Sequence, residues 1–255
     1  MPRFFVQPQS ISGADVTLRG DDAHHIAYSL RLAAGEHITV CDGTNIYDCE
    51  LTGFSPDKSD PWVTARVVDT LHGDTEPPYT VRLYQALPKG DKLDSIIQKA
   101  VECGVSAVIP FESSRCIAKA KADAEERKTV RRNRIAEEAA KQCGRGILPA
   151  VRPTVSYTQM LEEAMRSDLA LFCYEAEGTK PLGRVLQSLL PTLTEKGKGL
   201  IISVIIGSEG GFSPEEAAQA AACGCRMIGL GKRILRCETA PIFVLSCLSY
   251  QFELS

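Results

Sequence analysis

Arg236 and Glu209 are the side chains best placed by sequence to do chemistry in this 255-residue chain. Glu209 lies inside Gly207-Ser208-Glu209-Gly210-Gly211, which follows the apolar run at 204–206. Arg236 ends Gly231-Lys232-Arg233-Ile234-Leu235-Arg236, which follows the run at 227–230. A guanidinium there can neutralise a phosphate or a developing anion, though spacing alone fits an ordinary surface arginine equally well. A carboxylate in a glycine loop is a candidate general base, and as often a local hydrogen-bond acceptor. The first loop has neither the Gly-Lys-Ser/Thr of a P-loop nor the offsets of a GxGxxG fingerprint. Three glycines in five residues permit positive φ and let a ligand lie on the backbone, although a tight strand-to-helix turn uses them too. The second loop favours a ligand, because two such loops at neighbouring strand ends would make a cleft.

Apolar runs that stop at turn signals read as buried strands. Between the loops, Ser213 is placed as an N-cap, Pro214 as the first helical residue, Glu216 as the closing member of a capping box, and Gly224 as the terminator. Ligands of open α/β sheets bind beyond the carboxyl ends of such strands. Upstream, strands at 81–86, 106–111, 169–174 and 199–206 alternate with helices at 89–104, 122–143, 161–165 and 182–190, and an apolar helix at 242–254 closes the chain. That alternation predicts an α/β domain over residues 80–255 with a mostly parallel sheet. Residues 1–72 read differently. Short runs at 15–18, 37–41, 46–51 and 62–71, separated by turns such as Asp42-Gly43, predict a small β-barrel, with one helix at 22–32. The polar, proline-bearing residues 72–79 read as a linker.

A formal net charge of −3 gives no global basic excess, but the charge is uneven. Residues 1–79 carry 5 Lys and Arg against 12 Asp and Glu, whereas residues 115–152 carry 11 against 5. Such a local patch is what a polyanion would meet, and a solvated charged helix is the bland alternative. His24 and His25 lack a third ligand at metal spacing, and the ten cysteines include no CxxC pair, so no metal is expected. No apolar run opens the chain and no 18-residue apolar span occurs. The expectation is a cytoplasmic protein with reduced thiols and no membrane segment.

IIGSEGGFSPEE followed by LGKRILRCETAP resembles the cofactor region of the SPOUT methyltransferases. Pro2-Arg3-Phe4-Phe5, residues 24–31 leading to Asp42-Gly43, Lys92 to Gly104, Arg115, residues 138–145 and Pro149 extend the likeness in order. Together they resemble the bacterial 16S ribosomal RNA (uracil-N3)-methyltransferase family, RsmE. Ser208 stands where Pro is frequent in that family, and Cys143 where Ser is common. The resemblance implies a PUA-like barrel for RNA contact and a SPOUT domain with a deep trefoil knot at roughly 200–241. It implies a homodimer, and 16S rRNA within the small ribosomal subunit as partner. S-adenosylmethionine, the implied cofactor, would be lined by Phe172, Cys173 and Tyr174, by Ile206, Gly207, Ser208, Glu209, Gly210 and Gly211, and by Leu230, Gly231, Ile234 and Leu235. Arg3, Arg31, Lys92, Arg115, Lys119, Lys141, Gln142 and Arg145 would face RNA. Arg236 would offset charge on uracil as N3 loses its proton, with Glu209, Glu238 or water as acceptor. Two rivals remain at this point: a ribose 2′-O-methyltransferase on the same fold, and a non-catalytic RNA-binding assembly factor.

Overall fold

The protein is described here by a computed structural model covering residues 1–71, 75–120, 122–175, 178–196 and 199–254. It divides into two compact units, Met1–Glu76 with Ala140–Leu148, and Pro77–Ala139 with Pro149–Ser255. Of the expected linker, residues 72–74 lie outside the described residues.

The first unit holds β1 (Arg3–Phe5), β2 (Ile11–Ser12), β3 (Asp15–Arg19), α1 (Gly20–His24), β4 (His37–Cys41), β5 (Ile46–Phe54) and β6 (Trp62–Leu71). The strands form one sheet in the order β1-β4-β5-β6-β3-β2, antiparallel except for β1 beside β4. Phe4 of β1 shares a single core with Val16 and Leu18 of β3, near the far end of that order. Residues from both ends of a sheet can meet only if it curls, and two register shifts between β5 and β6 add local twist. The expected helix over 22–32 is shorter. After α1 the chain makes one π-helical turn, His25–Ser29. Leu32 N–H then donates to the Ile26 carbonyl, with Arg31 at φ 57°. This closure, one residue wider than a six-to-one bond, ends the helix before Gly35 is reached.

In Ala140–Leu148, Arg145 is buried and donates to the Glu76 carboxylate, which also accepts from the backbone N–H groups of Gly146 and Ile147. Lys141 pairs with Asp22 at 3.1 Å and lies 5.4 Å from the centre of the Phe4 ring.

The second unit contains β7 (Thr80–Ala86), α2 (Lys92–Glu102), β8 (Ala107–Glu112), α3 (Ala122–Cys143), β9 (Ala150–Val151), β10 (Val155–Ser156), α4 (Tyr157–Ala164), β11 (Leu169–Cys173), β12 (Lys180–Pro181), α5 (Leu182–Lys196), β13 (Ile201–Ile206), α6 (Pro214–Cys223), β14 (Arg226–Gly229) and α7 (Thr239–Glu253). The last four residues of α3 cluster with the first unit. The sheet runs β10-β8-β7-β13-β11-β14-β12, with β9 also on β8, and every pairing is parallel. Its central strands are almost wholly buried, as near-continuous apolar runs such as IISVII require when helices flank both faces. α6 has the expected reciprocal capping box between Ser213 and Glu216 and ends at Gly224 in the left-handed region. One expectation is corrected. The strands that feed the glycine loops, β13 and β14, are not neighbours, because β11 lies between them. Among the described residues no helix is long and apolar enough to cross a membrane.

Candidate active site

The strand inserted between β13 and β14 contributes a third end to the site. Ile206 at the end of β13, Cys173 at the end of β11 and Gly229 at the end of β14 all line one cleft of about 750 Å³. That size lies within the ~300–1,000 Å³ usual for small-molecule sites. Residues of both glycine loops line the cleft as well. The first is tightly packed: a Cβ on Gly207 would lie 3.1 Å from the Gly211 Cα, and one on Gly210 would lie 3.1 Å from the Arg115 carbonyl oxygen. These glycines therefore serve the loop's own packing. Gly231 differs, since φ is 110° and a Cβ would meet nothing within 4 Å.

Side chains from neighbouring elements hold the first loop. The buried Gln85 amide on β7 donates to the Gly207 carbonyl at 3.2 Å, and the Arg115 guanidinium donates to that of Gly210 at 3.2 Å. Lys92, in the first turn of α2, lies 2.8 Å from Glu209 and 3.4 Å from Glu238. Burial works against the charge of Glu209, but hydrogen bonds from Lys92 and from the Lys89 backbone N–H outweigh it and hold the carboxyl below its usual range. The Cys237 thiol, followed by Lys92, does the same for Glu238. Burial, with Glu238 beside it, pushes the Cys237 thiol up to about 12. Arg236 is exposed on the cleft wall and, among the described residues, has no ion pair. Its carbonyl accepts from the N–H groups of Thr239 and Ala240, which fixes it at the start of α7.

A family model for the RNA methyltransferase domain matches residues 75–249, and one for the RNA methyltransferase PUA domain matches residues 18–59. Ribosomal RNA small subunit methyltransferase E of Bacillus subtilis (strain 168) is 35% identical over 259 residues, spanning 100% of this chain and 98% of its own length. The chain belongs to the ribosomal RNA small subunit methyltransferase E family. Another member, from Synechocystis, is 33% identical over 98% of this chain and 78% of its own length. The crystal structure of the Neisseria gonorrhoeae methyltransferase E, bound to S-adenosyl methionine, matches with a TM-score of 0.83 at 29% identity, covering 99% of this chain and 98% of that one.

Within this chain, Cys173, Tyr174, Ile206, Gly207, Ser208, Glu209, Gly210, Gly211, Leu230, Gly231, Ile234, Leu235 and Arg236 come together on the cleft wall, joined by Lys92 and Arg115. Phe172 does not line it. Fully buried, it packs under the first loop with its ring centre 4.2 Å from that of Phe212. Phe212, Thr179, Glu175 and Ile228 also line the cleft, and the sequence reading missed them, as it missed Gln85 beneath the first loop. Only Phe212, directly after the glycines, carried a signal. The expected RNA-facing residues are more dispersed. Arg31 and Gln142 are exposed, and Arg3 is half-buried with its guanidinium on the Arg145 carbonyl. Lys119 pairs with Glu112 at 3.5 Å, while Lys141 and Arg145 are engaged as described above.

Proposed function

We propose that the protein methylates N3 of a specific uridine in 16S ribosomal RNA, using the cleft between the two loops to hold S-adenosylmethionine. The observation that carries this reading is the cleft itself, formed where three parallel strands end, backbone-lined by both glycine loops and bordered by an arginine with no ion pair among the described residues. The lining suits that cofactor. Ile206, Ile228, Leu230 and Leu235 offer apolar walls for a flat base, the backbone of residues 207–211 and 230–235 offers donors and acceptors, and Glu209 and Glu238 offer negative charge near a cationic group. When bound, S-adenosylmethionine supplies a methyl group already activated by its sulfonium centre.

The work left to the chain is to make N3 nucleophilic and align it. N3 carries a proton in neutral uracil, and its loss spreads negative charge onto the ring oxygens, which the Arg236 guanidinium would offset. N3 also lies on the pairing edge, so the base must be unpaired or extruded to reach the cleft. The partners of Glu209 and Glu238 hold both carboxyls below their usual range, so each is a weaker base than an ordinary carboxylate, and Glu209, Glu238 and water all stand as acceptors of the N3 proton. Calorimetry and turnover test the role of Arg236. Arg236→Ala should lose at least about a hundredfold in turnover while S-adenosylmethionine binding persists. Unchanged turnover would remove Arg236 from the mechanism.

The same reading includes the knot at roughly 200–241, where the chain passes from β13 to β14 across the intervening β11. It includes a homodimer in the cytoplasm. Phe243 and Tyr250 are exposed on α7 and Leu254 at its C-cap, and with Cys247 they recur at the spacing of one helical face.

A further inference from the structure

Building on that functional reading, we infer that Lys92 is a positioning residue that latches the two glycine loops together, a role different from the RNA contact its place in the sequence suggested. The loops are supported unequally. Gln85, Arg115 and the Lys89 backbone N–H hold the first one from three sides. In the second, Gly231, Lys232, Arg233 and Ile234 are exposed, Ile234 by 80%. Among the described residues, the one side-chain ion pair that reaches residues 231–238 from another element is Lys92 to Glu238, the N-cap of α7 two residues past the second loop. Lys92 is well placed for this. α2 buries Leu93, Ile96, Ile97, Ala100 and Val101 against the unit, so the ammonium projects from a fixed element into the cleft. One ammonium with three protons can serve both carboxylates at once. Without it, Glu209 and Glu238 would lose their shared counter-charge, and the second loop would keep only the backbone bonds that Arg236 accepts from Thr239 and Ala240. The groups are about a third exposed, so the latch adds little to fold stability and acts instead on loop position, which a ligand then need not impose.

The test uses the full chain as wild type, Lys92→Met, Glu238→Gln, the double variant and Lys92→Arg. Calorimetric titration with S-adenosylmethionine should show affinity about fivefold to tenfold weaker for Lys92→Met, no further loss in the double variant, and substantial recovery in Lys92→Arg. In the ligand-free protein, amide exchange over residues 231–238 should quicken in Lys92→Met, with little change in the melting temperature. The salt dependence of RNA binding should match wild type. If Lys92→Met binds the cofactor normally, leaves loop exchange unchanged and lowers the salt slope by about one, Lys92 is a phosphate contact and the latch is wrong. Wild type that takes up no S-adenosylmethionine would overturn the functional reading itself, whereas unchanged loop exchange would overturn the latch alone.

Discussion

At Gly231 the backbone is left-handed and uncovered, whereas at Gly210 a Cβ would press on Arg115 at 3.0 Å. One residue type thus serves two purposes within one site. Gly231→Ala has room for its methyl group but must hold an L-residue in a left-handed conformation, at a cost of ~1–2 kcal/mol. Because the loop is exposed, that cost should fall on its shape. S-adenosylmethionine affinity should drop about tenfold while the thermal midpoint barely moves, and equal affinity would show that this loop does not shape the ligand site. The glycines were legible in sequence as loop formers, but which of them face open space was not. Gly210 is fixed by Arg115, 95 residues away, and no local spacing reports such a contact. Arg145 is the same lesson in charge. It reads as an exposed cation at a helix end, yet Glu76, 69 residues earlier, draws it into the interior.

The two ends of α6 were legible, because caps are local. The box at Ser213 and Glu216 and the stop at Gly224 were read from sequence and appear as such. Strand order was not legible. Each strand of the parallel sheet is a short apolar run, and nothing in a run says which neighbour it takes. α3 illustrates the long-range part. Glu125 in its first turn accepts from Thr154 N–H at 2.9 Å, from the Thr154 hydroxyl, and from Arg132 at 3.1 Å. Burial disfavours its charge, but these partners outweigh burial and hold its carboxyl below the ordinary 4.5. The unfolded chain therefore takes up a proton before the folded one does. The stabilisation is fully present above pH 4.5 and is lost as pH falls through the lowered folded value. Chemical denaturation of wild type and Glu125→Gln should differ by ~1 kcal/mol at neutral pH and converge in that acid window. A gap that persists under acid conditions would mean that the ion pair is not its source.

For the whole molecule, the uneven charge bears on the proposed RNA contacts. Of the eight residues assigned to RNA from sequence, Lys92, Lys119, Lys141 and Arg145 already have carboxylate partners. The phosphate contacts should therefore be fewer than eight, and the salt slope correspondingly shallower. Arg31→Gly, which removes an exposed charge at a left-handed position, should lower that slope by about one. An unchanged slope would take Arg31 off the RNA surface. The fold class was readable because periodicity reports burial directly, and the family because its loops are short and distinctive. The cleft's third wall, Cys173 and Tyr174 at the end of the intervening strand, followed from the resemblance and from nothing in the spacing. The central claim concerns a single atom on a single base. Small ribosomal subunits from a strain lacking this protein, treated with it and labelled S-adenosylmethionine, can be digested to nucleosides and resolved by mass spectrometry. The account predicts label on N3 of one uridine of 16S RNA; label on a ribose 2′-oxygen, or no transfer at all, would contradict it.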